Sequence, residues 1–183
     1  YMRWRGITYF ENSRRATLAA QAYCIANPGG FVGYGATEWG LTASDDPVSG
    51  YLAHGAPPAQ NDNGTITPTA AASSICFAPE IVIPTLHHFY DAYAPQLWGP
   101  YGFKDAFNRT RNWWATDVLG IDQGPILTMI ENYRRQAVWG RFMKNPEIRT
   151  GLTRAGFTRT VDVAEGAEGS TGAPTLVALA QNS

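Results

Sequence analysis

Apolar side chains recur at helical spacing over residues 124–145 of the chain. The 3.6-residue period of an α-helix is approximated there by a series of apolar positions, Ile126, Met129, Ile130, Tyr133, Ala137 and Phe142. Pro125 stands at the start of this stretch, where proline is tolerated because a first-turn N–H makes no bond within the helix. The pattern therefore predicts one long helix over residues 124–145.

A second helix is predicted from Asn12 or Ser13 to Ile25, in a stretch that begins with polar residues and then turns apolar. It should end at residues 27–30, Asn-Pro-Gly-Gly, because proline and two glycines do not continue a helix. Polar residues in the first turn followed by apolar residues in the rest of the helix indicate a buried helix whose N-terminal end faces a hydrophilic region.

Start signals predict three further helices. Thr67 and Pro68 have the residue types of an N-cap and of a first helical position. Another helix is expected over residues 79–93, bent by Pro84. A shorter one is predicted over residues 145–157.

Two long loops separate these helices, at residues 29–66 and 94–124, and both are rich in glycine, proline and aromatic residues. Loops of this length in a compact domain are usually functional or disordered, and their Trp and Tyr content argues against disorder. We therefore expect an all-α body whose loops gather at one end into a site. From about Thr158 the composition shifts to Gly, Ala, Ser and Thr, which predicts a separate tail over residues 158–183, with a closing strand or extended tail at 175–181.

The charge balance excludes some classes of partner. The chain has 14 basic and 15 acidic side chains, so it offers no basic footprint for nucleic acid or for an anionic membrane surface. No apolar run approaches the ~20 residues that a membrane span needs. Cys24 and Cys76 lack a metal-binding spacing, and the consecutive His87 and His88 cannot share one helix face as ligands. We expect no metal and no cofactor.

Carboxylates, amides and aromatic rings concentrate in the loops and at the helix starts. Aromatic rings stack on the apolar face of a sugar, while carboxylates and amides bind its hydroxyls. Cleavage of a glycosidic bond further requires two carboxyl groups, one protonated as the acid and one acting as base or nucleophile. This mixture is compatible with carbohydrate chemistry, although many unrelated enzymes share it. The polar and aromatic candidates are Glu11, Asn12, Glu38, Trp39, Asp45, Trp98, Asp122 and Glu131.

Several of these candidates also have a purely structural explanation. Glu11 at a helix start would complement the helix dipole, and Asp45 just before a proline is a typical turn residue. Glu131 would be costly to bury in an apolar helix, yet beside Arg134 and Arg135 it could lie on a solvated face. The residues alone leave these alternatives open.

Six segments together resemble the bacterial glycoamylase-like domain, which includes the endo-β-1,2-glucanases of glycoside hydrolase family 144 and the transglycosylase domain of cyclic β-1,2-glucan synthases. In chain order they are YFENSRRATLAAQAYC, GYGATEWGLTASD, GYLAHGAPP, DNGTITPTAAASS, LWGPYGFKDAFN and GIDQGPILTMIENYRR. The resemblance covers residues 1–157 and leaves the tail 158–183 outside. It implies an (α/α)6 toroid with the sugar site in its central cavity. This chain would be only the C-terminal half, since twelve helices need well over ~300 residues.

The resemblance also implies roles for individual residues. It implies that Glu11 and Asp45 are the catalytic carboxylates that this chain contributes to the cavity. The best candidate for the general acid would lie in the N-terminal half of the domain. Arg15 would orient a carboxylate through a bidentate pair, or would simply be solvated. Substrate-binding roles fall to Asn12, Arg15, Glu38, Trp39, Trp98, Asp122 and Glu131.

From this resemblance we predict a fragment of an enzyme that hydrolyses glycosidic bonds in a β-glucan, most specifically in β-1,2-glucan. Two alternatives stay open: a transglycosylase acting on β-1,2-glucan, and a non-catalytic glycan-binding module. The expected partners are the polysaccharide and the N-terminal half of the same domain. The resemblance implies a periplasmic or secreted location. The isolated half is expected to be inactive and to expose apolar faces.

Overall fold

Six helices form the body of the structure, a computed structural model that describes residues 1–57 and 61–159. They are α1 (Tyr9–Ala26), α2 (Pro68–Ala72), α3 (Pro79–Leu97), α4 (Gly120–Arg135), α5 (Ala137–Phe142) and α6 (Pro146–Arg154). Proline opens α2, α3 and α6, where its missing N–H leaves no helical bond unmade. No helix in the described ranges is long and apolar enough to cross a membrane. The helical body predicted from the sequence is confirmed.

The end of α1 is set by Asn27. Its backbone is left-handed, with φ of 44°, and its N–H donates to the carbonyl of Tyr23 at 2.9 Å. Its side chain holds Phe31 by two bonds: Nδ2 donates to the carbonyl at 2.9 Å and Oδ1 accepts the N–H at 2.8 Å. The chain therefore turns away from the helix close to the predicted end.

The single helix predicted over residues 124–145 is divided in two by the structure. Gln136 lies between α4 and α5 with a left-handed backbone, at φ of 52°. The side-chain Oδ1 of Asn132 accepts the N–H groups of Val138 at 3.1 Å and Trp139 at 2.9 Å, which anchors the start of α5. The apolar pattern continues across this break, because a single residue with a left-handed backbone does not change which positions of the sequence are apolar.

Small antiparallel sheets, which the all-α prediction omits, accompany the helices in the described ranges. The strands are β1 (Met2–Trp4), β2 (Ile7–Thr8), β3 (Ala43–Asp46), β4 (Gly50–Ala53), β5 (Thr65–Ile66), β6 (Trp98–Gly99), β7 (Gly102–Phe103), β8 (Phe107–Asn108), β9 (Trp113–Trp114) and β10 (Thr158–Arg159). They pair in the orders β10-β1-β2, β3-β4, β5-β8-β9 and β6-β7. Most of them come from the two predicted loops, which therefore contain ordered hairpins. The strand or tail segment predicted at 175–181 lies outside the described residues.

The core packs α3 against strands from the second long loop. Val82, Phe89 and Leu97 of α3 are fully buried. The ring of Phe89 meets Phe107 edge to face at 5.4 Å, and Phe107 stacks on Trp114 at 5.2 Å with an interplanar angle of 10°. This packing fixes β8, and the turn that precedes it, against the helix.

Candidate functional site

Three aspartates from distant parts of the chain meet in one group, here called the aspartate cluster. Asp45 lies in β3, Asp105 in the turn between β7 and β8, and Asp122 in the first turn of α4. The backbone N–H of Asp45 donates to Oδ2 of Asp105 at 2.6 Å. Asp105 is 2% exposed and Asp122 is 8% exposed. Since α4 begins at Gly120, Asp122 lies inside the helix and not before it.

The environment of Asp122 favours its protonated form. Burial, followed by the charge of Asp105 and a hydrogen bond with its side chain, raises the pKa of Asp122 to about 7, and Asp45 adds to the rise. Oδ2 of Asp122 is buried and has no hydrogen-bond partner among the described residues. Two ionised carboxylates are both acceptors, so a proton on Asp122 supplies the donor that the pair lacks. A carboxyl group with these properties is suited to act as a general acid.

The two successive aspartates of β3 have opposite environments. Burial, and then the charges of two other aspartates, raise the pKa of Asp45. The carboxylate of Asp46 is also buried, but it accepts hydrogen bonds from Nδ2 of Asn63 and from the N–H groups of Ser49 and Val48, which lower its pKa. Because neighbouring side chains of a strand point to opposite faces, Asp46 stabilises the β3–β4 turn while Asp45 belongs to the aspartate cluster.

Glu38 is the centre of a second polar group. Its side chain is buried, and Oε1 accepts hydrogen bonds from Nη1 of Arg109 at 2.8 Å and from the hydroxyl of Tyr93, with Nε2 of His88 at 3.0 Å. Burial, followed by the hydrogen bond with Glu38, raises the pKa of Tyr93. These bonds tie the first long loop and the β8–β9 turn to α3. The predicted role of Glu38 in substrate binding stays a prediction.

The polar entrance of α1 is exposed in this chain. Glu11 lies in the first turn and accepts a hydrogen bond from Nε of Arg15 at 2.7 Å, and Asn12 is exposed beside it. Arg14 instead forms an ion pair with Glu80 of α3 at 2.6 Å. Within the described ranges, no hydrogen bond or ion pair joins Glu11 to the aspartate cluster. Its predicted catalytic role therefore stays a prediction, as do the binding roles of Asn12 and Arg15.

The remaining candidates differ in exposure. Trp39 is 1% exposed, and its indole N–H donates to the hydroxyl of Thr85 at 2.8 Å, so its ring is part of the core. Trp98 is 43% exposed. Glu131 is one-third exposed and pairs with Nε of Arg135 at 3.0 Å, which fits the solvated alternative for this residue. Of the sequence candidates, the structure brings Asp45 and Asp122 together, while the binding roles of Trp39, Trp98 and Glu131 stay predictions.

Trp98 lines a groove of about 630 Å³ between α3 and α4. Tyr90 packs edge to face against the Trp98 ring at 5.4 Å, and Tyr101, also in the lining, is 80% exposed. Gln123, the residue directly after Asp122, belongs to the same lining. The groove therefore places open aromatic rings next to the start of α4.

The sequence assigned no role in the site to Asp105 or to the three partners of Glu38. The local signal for Asp105 was its position between Phe103 and Phe107, which are both buried. A carboxylate enclosed by apolar neighbours requires a specific partner, and the partner here is more than a dozen residues away in the chain. The described ranges contain no group of three or more His, Cys, Asp or Glu side chains that could hold a metal ion.

Comparison with known families matches residues 2–146 to the glycoamylase family model, described as "Putative glucoamylase". This range includes the aspartate cluster, the Glu38 group and the groove lined by Trp98. The sequence resemblance carried by the six segments is thus confirmed.

Individual relatives agree with the family match. The exo β-1,2-glucooligosaccharide sophorohydrolase (non-reducing end) of Parabacteroides distasonis is 43% identical over 146 residues, which are 80% of this chain and 20% of that protein. The structure of an endo-β-1,2-glucanase from Chitinophaga pinensis, in complex with sophorotriose and glucose, is 44% identical with a TM-score of 0.82. It is matched over 86% of this chain and 37% of its own. A "putative glucoamylase" structure from Bacteroides uniformis is 52% identical, with the same TM-score of 0.82 and the same coverage of 86% and 37%.

The chain therefore spans a fifth of the length of the curated relative, and somewhat more than a third of the solved structures. Over most of this chain, both the sequence and the backbone structure are similar to those of the relatives. On the family match and these relatives, the chain belongs to the glycoamylase family.

Proposed function

We propose that this chain is part of a glycoside hydrolase that cleaves β-glucan, with β-1,2-linked glucan as its substrate. The observation that carries the proposal is the meeting of aspartates from three distant parts of the chain: the N–H of Asp45 donates to Oδ2 of the buried Asp105 at 2.6 Å, and the buried Asp122 has a raised pKa beside them. The named activities of the Parabacteroides and Chitinophaga relatives support the choice of linkage.

The proposed chemistry divides two roles between the carboxyl groups. Asp122 gives its proton to the glycosidic oxygen as the bond to the leaving sugar breaks. Asp45, which is less buried, serves as the ionised partner. It acts either as the base that activates the attacking water or as the nucleophile that attacks the sugar. The family resemblance places the acid in the upstream half; Asp122 is our candidate within this chain because its carboxyl group has the higher proton affinity that an acid needs.

We propose that sugar rings bind along the groove at Trp98. The exposed indole offers a flat apolar face, and Tyr101 offers a second ring nearby in the same lining. The Nε2 of Gln123 already donates to the carbonyl of Phe103 at 2.7 Å, and the remaining hydrogen-bonding capacity of this amide would serve sugar hydroxyls at the end of the groove nearest Asp122. This arrangement would lead a glucan chain towards the aspartate cluster.

We also propose that the helices of residues 1–157 are the C-terminal half of an (α/α)6 toroid. Two observations support it. The chain matches only 37% of the Bacteroides uniformis and Chitinophaga pinensis structures, and Ile121 at the start of α4 is 80% exposed. In the proposed toroid this side chain would be covered by the other half of the domain.

The proposed activity is tested by incubating the full-length protein with linear β-1,2-glucan and separating the products by size. We expect shorter β-1,2-linked oligosaccharides, and no cleavage of a β-1,3- or β-1,4-glucan of similar length. Cyclic or lengthened products would indicate transfer to a sugar hydroxyl, and binding without any new product would indicate a glycan-binding module. Either result would overturn the proposal.

In the same assay, Glu11→Gln is expected to reduce turnover strongly while leaving the fold intact, if Glu11 faces the sugar in the complete domain. The stability change should be small because the substitution removes one exposed i, i+4 ion pair, worth roughly 0.3–0.5 kcal/mol. Turnover and melting temperature measured together separate the two effects. Near-normal turnover would remove Glu11 from the mechanism.

A further inference from the structure

We infer that Asn63 is a positioning residue: its amide holds β3 by the side chain of Asp46, so that the neighbouring Asp45 stays beside Asp105 in the aspartate cluster. This inference rests on the proposed function, in which Asp45 is one of the two reacting carboxyl groups. Asn63 is given no contact with the sugar. It acts through the position of β3.

Two hydrogen bonds tie adjacent residues of β3 to segments outside the β3–β4 hairpin. The N–H of Asp45 donates to Oδ2 of Asp105 at 2.6 Å, and Oδ2 of Asp46 accepts Nδ2 of Asn63 at 2.6 Å. The other carboxylate oxygen of Asp46 is used inside the hairpin, where it accepts two N–H groups of the turn. Asp46 is 4% exposed, so water has little access to replace Asn63 as its donor. The position of β3 therefore depends on Asn63 as well as on Asp105.

The amide of Asn63 is held in one orientation by its own oxygen. Oδ1 accepts the N–H of Thr65 at 3.2 Å and the hydroxyl of the same residue at 2.7 Å. Thr65 is fully buried in β5. Because the amide oxygen binds these two donors, the amide nitrogen is the group that faces Asp46. A donor and a carboxylate then meet in the only favourable sense for this pair.

The segment of Asn63 is also bound to the strand that follows Asp105. Nδ2 of Asn108, in β8, donates to the carbonyl of Asn63 and to the hydroxyl of Thr65, both at 3.1 Å. Thr65 and Asn108 lie opposite each other in the β5–β8 pair, and both are fully buried. Asp105 lies only three residues before Asn108. Asn63 therefore joins the two segments whose aspartates meet in the cluster, and loss of its bond to β3 would let β3 move relative to β8.

The direction of the bond between residues 46 and 63 can be reversed without changing the total charge. In Asn63→Asp alone, a new carboxylate faces the carboxylate of Asp46, and the donor between them is lost. Adding Asp46→Asn restores a donor, now on β3; this double variant is called the swap. Its amide oxygen can still accept the N–H groups of the turn, and its carboxylate can still accept both donors of Thr65. The two side chains are again joined by an N–H···O bond.

The environment of His54 also allows the swap. Its Nε2 lies 3.4 Å from Oδ2 of Asp46, and its Nδ1 lies 3.1 Å from the carbonyl of Asn61. A neutral ring that donates from Nδ1 to this carbonyl presents Nε2 as an acceptor. Nε2 can then accept the second N–H of the amide that Asp46→Asn introduces, so the swap leaves no unpaired donor beside His54.

The test measures kcat and KM on β-1,2-glucan for the full-length wild type, for Asn63→Asp and for the swap. We expect Asn63→Asp to lower kcat at least about tenfold with KM within about twofold of the wild type, because misplacing a reacting group slows the chemistry more than it weakens binding. The swap should recover kcat to within about threefold of the wild type, since the coupling between the two positions is restored. The matched control is Asn61→Asp, which makes the same change on an exposed side chain two residues away and should leave both constants unchanged.

Two results of this experiment would overturn the inference. A purely structural role would lower the melting temperature of Asn63→Asp but leave the kcat of the folded protein near that of the wild type. A swap that folds but stays as slow as Asn63→Asp would show that the bond to Asp46 is not what matters. Should Asn63→Asp fail to fold, the swap decides alone: recovery of both folding and kcat supports the inference, and failure of either one contradicts it.

A second readout needs no substrate and separates this inference from the proposed function. Hydrogen exchange of the Asp45 N–H, resolved to the single amide by mass spectrometry, reports its bond to Asp105. Relative to the amides of α3, this N–H should exchange at least about tenfold faster in Asn63→Asp and at the wild-type rate in the swap. If exchange behaves so but no glucan is cleaved, the inference stands and the proposed function fails. If glucan is cleaved but the N–H exchanges alike in all three proteins, the inference fails.

Discussion

Replacement of Asp122 by Asn in the full-length enzyme is expected to lower kcat on β-1,2-glucan by about 10³-fold, the usual range for loss of a general acid. Asn has nearly the same shape as Asp but cannot give up a proton to the glycosidic oxygen. The buried position of Asp122 gives water little chance to replace it in this role. Turnover is measured by the release of reducing ends, with the melting temperature recorded to confirm folding.

Glu147→Gln is the control for that experiment. Glu147 is exposed in the first turn of α6, outside every group of residues to which a role in the site is assigned. Loss of its charge at the helix start costs roughly 0.3–1 kcal/mol and should leave kcat within about twofold of the wild type. If Asp122→Asn keeps more than about a tenth of the wild-type kcat, Asp122 is not the acid.

Asp122→Asn should also change how the stability of the protein depends on pH. The folded-state pKa of Asp122, about 7, lies above its ordinary value of 3.8, so the folded protein holds a proton that the unfolded chain releases. The wild type therefore loses stability as the pH rises from about 4 to about 7, whereas Asn stays neutral throughout. Relative to the wild type, Asp122→Asn should gain stability over this window by an amount on the order of 2–4 kcal/mol. Thermal unfolding at the two ends of the window measures the difference.

Gly40→Ala is expected to destabilise the protein by about 3 kcal/mol or more, through backbone strain and overpacking together. Gly40 has φ of 133°, a conformation that an L side chain rarely adopts. A Cβ there would lie 2.8 Å from the backbone oxygen of Thr67 and 3.3 Å from the backbone nitrogen of Ala71. The chains cannot separate easily, because Thr67 donates its N–H to the carbonyl of Gly40 at 2.9 Å. Denaturant unfolding of the full-length protein gives the loss directly.

Gly50→Ala separates the clash from the backbone strain. Gly50 also has a positive φ, 76°, but a Cβ there would meet no other heavy atom within 4 Å. Only the strain of the left-handed backbone remains, worth about 1–2 kcal/mol. If Gly40→Ala and Gly50→Ala lower the free energy of unfolding equally, the close approach of residue 40 to α2 is contradicted.

The helices were predictable because their signals are local. Proline at the starts of α2, α3 and α6 and the Asn-Pro-Gly-Gly sequence after α1 act within one or two turns of the chain. The break at Gln136 was not predicted because the residue is neither glycine nor proline. Its left-handed backbone is held by the bonds from Asn132 to the start of α5.

The hairpins of the two long loops were not predictable in the same way. Several of their strands are two residues long, which is too short for an alternating pattern to emerge. Their order comes from partners far away in the chain: β5 pairs with β8, so that Thr65 lies opposite Asn108. A pairing of this kind depends on how the helices bring the loops together.

The sequence by itself determined that the chain has a helical body, and its six segments identified the family, because local start and stop signals and residue identity require no knowledge of the fold. The tertiary structure decided the chemistry. It buried Trp39 against Thr85, left Glu11 exposed, and brought Asp45 and Asp122 together with Asp105, a residue to which the sequence assigned no role. The physical reason is that the proton affinity of a carboxyl group depends on its burial and on nearby charges. Both are set by contacts between residues far apart in the chain.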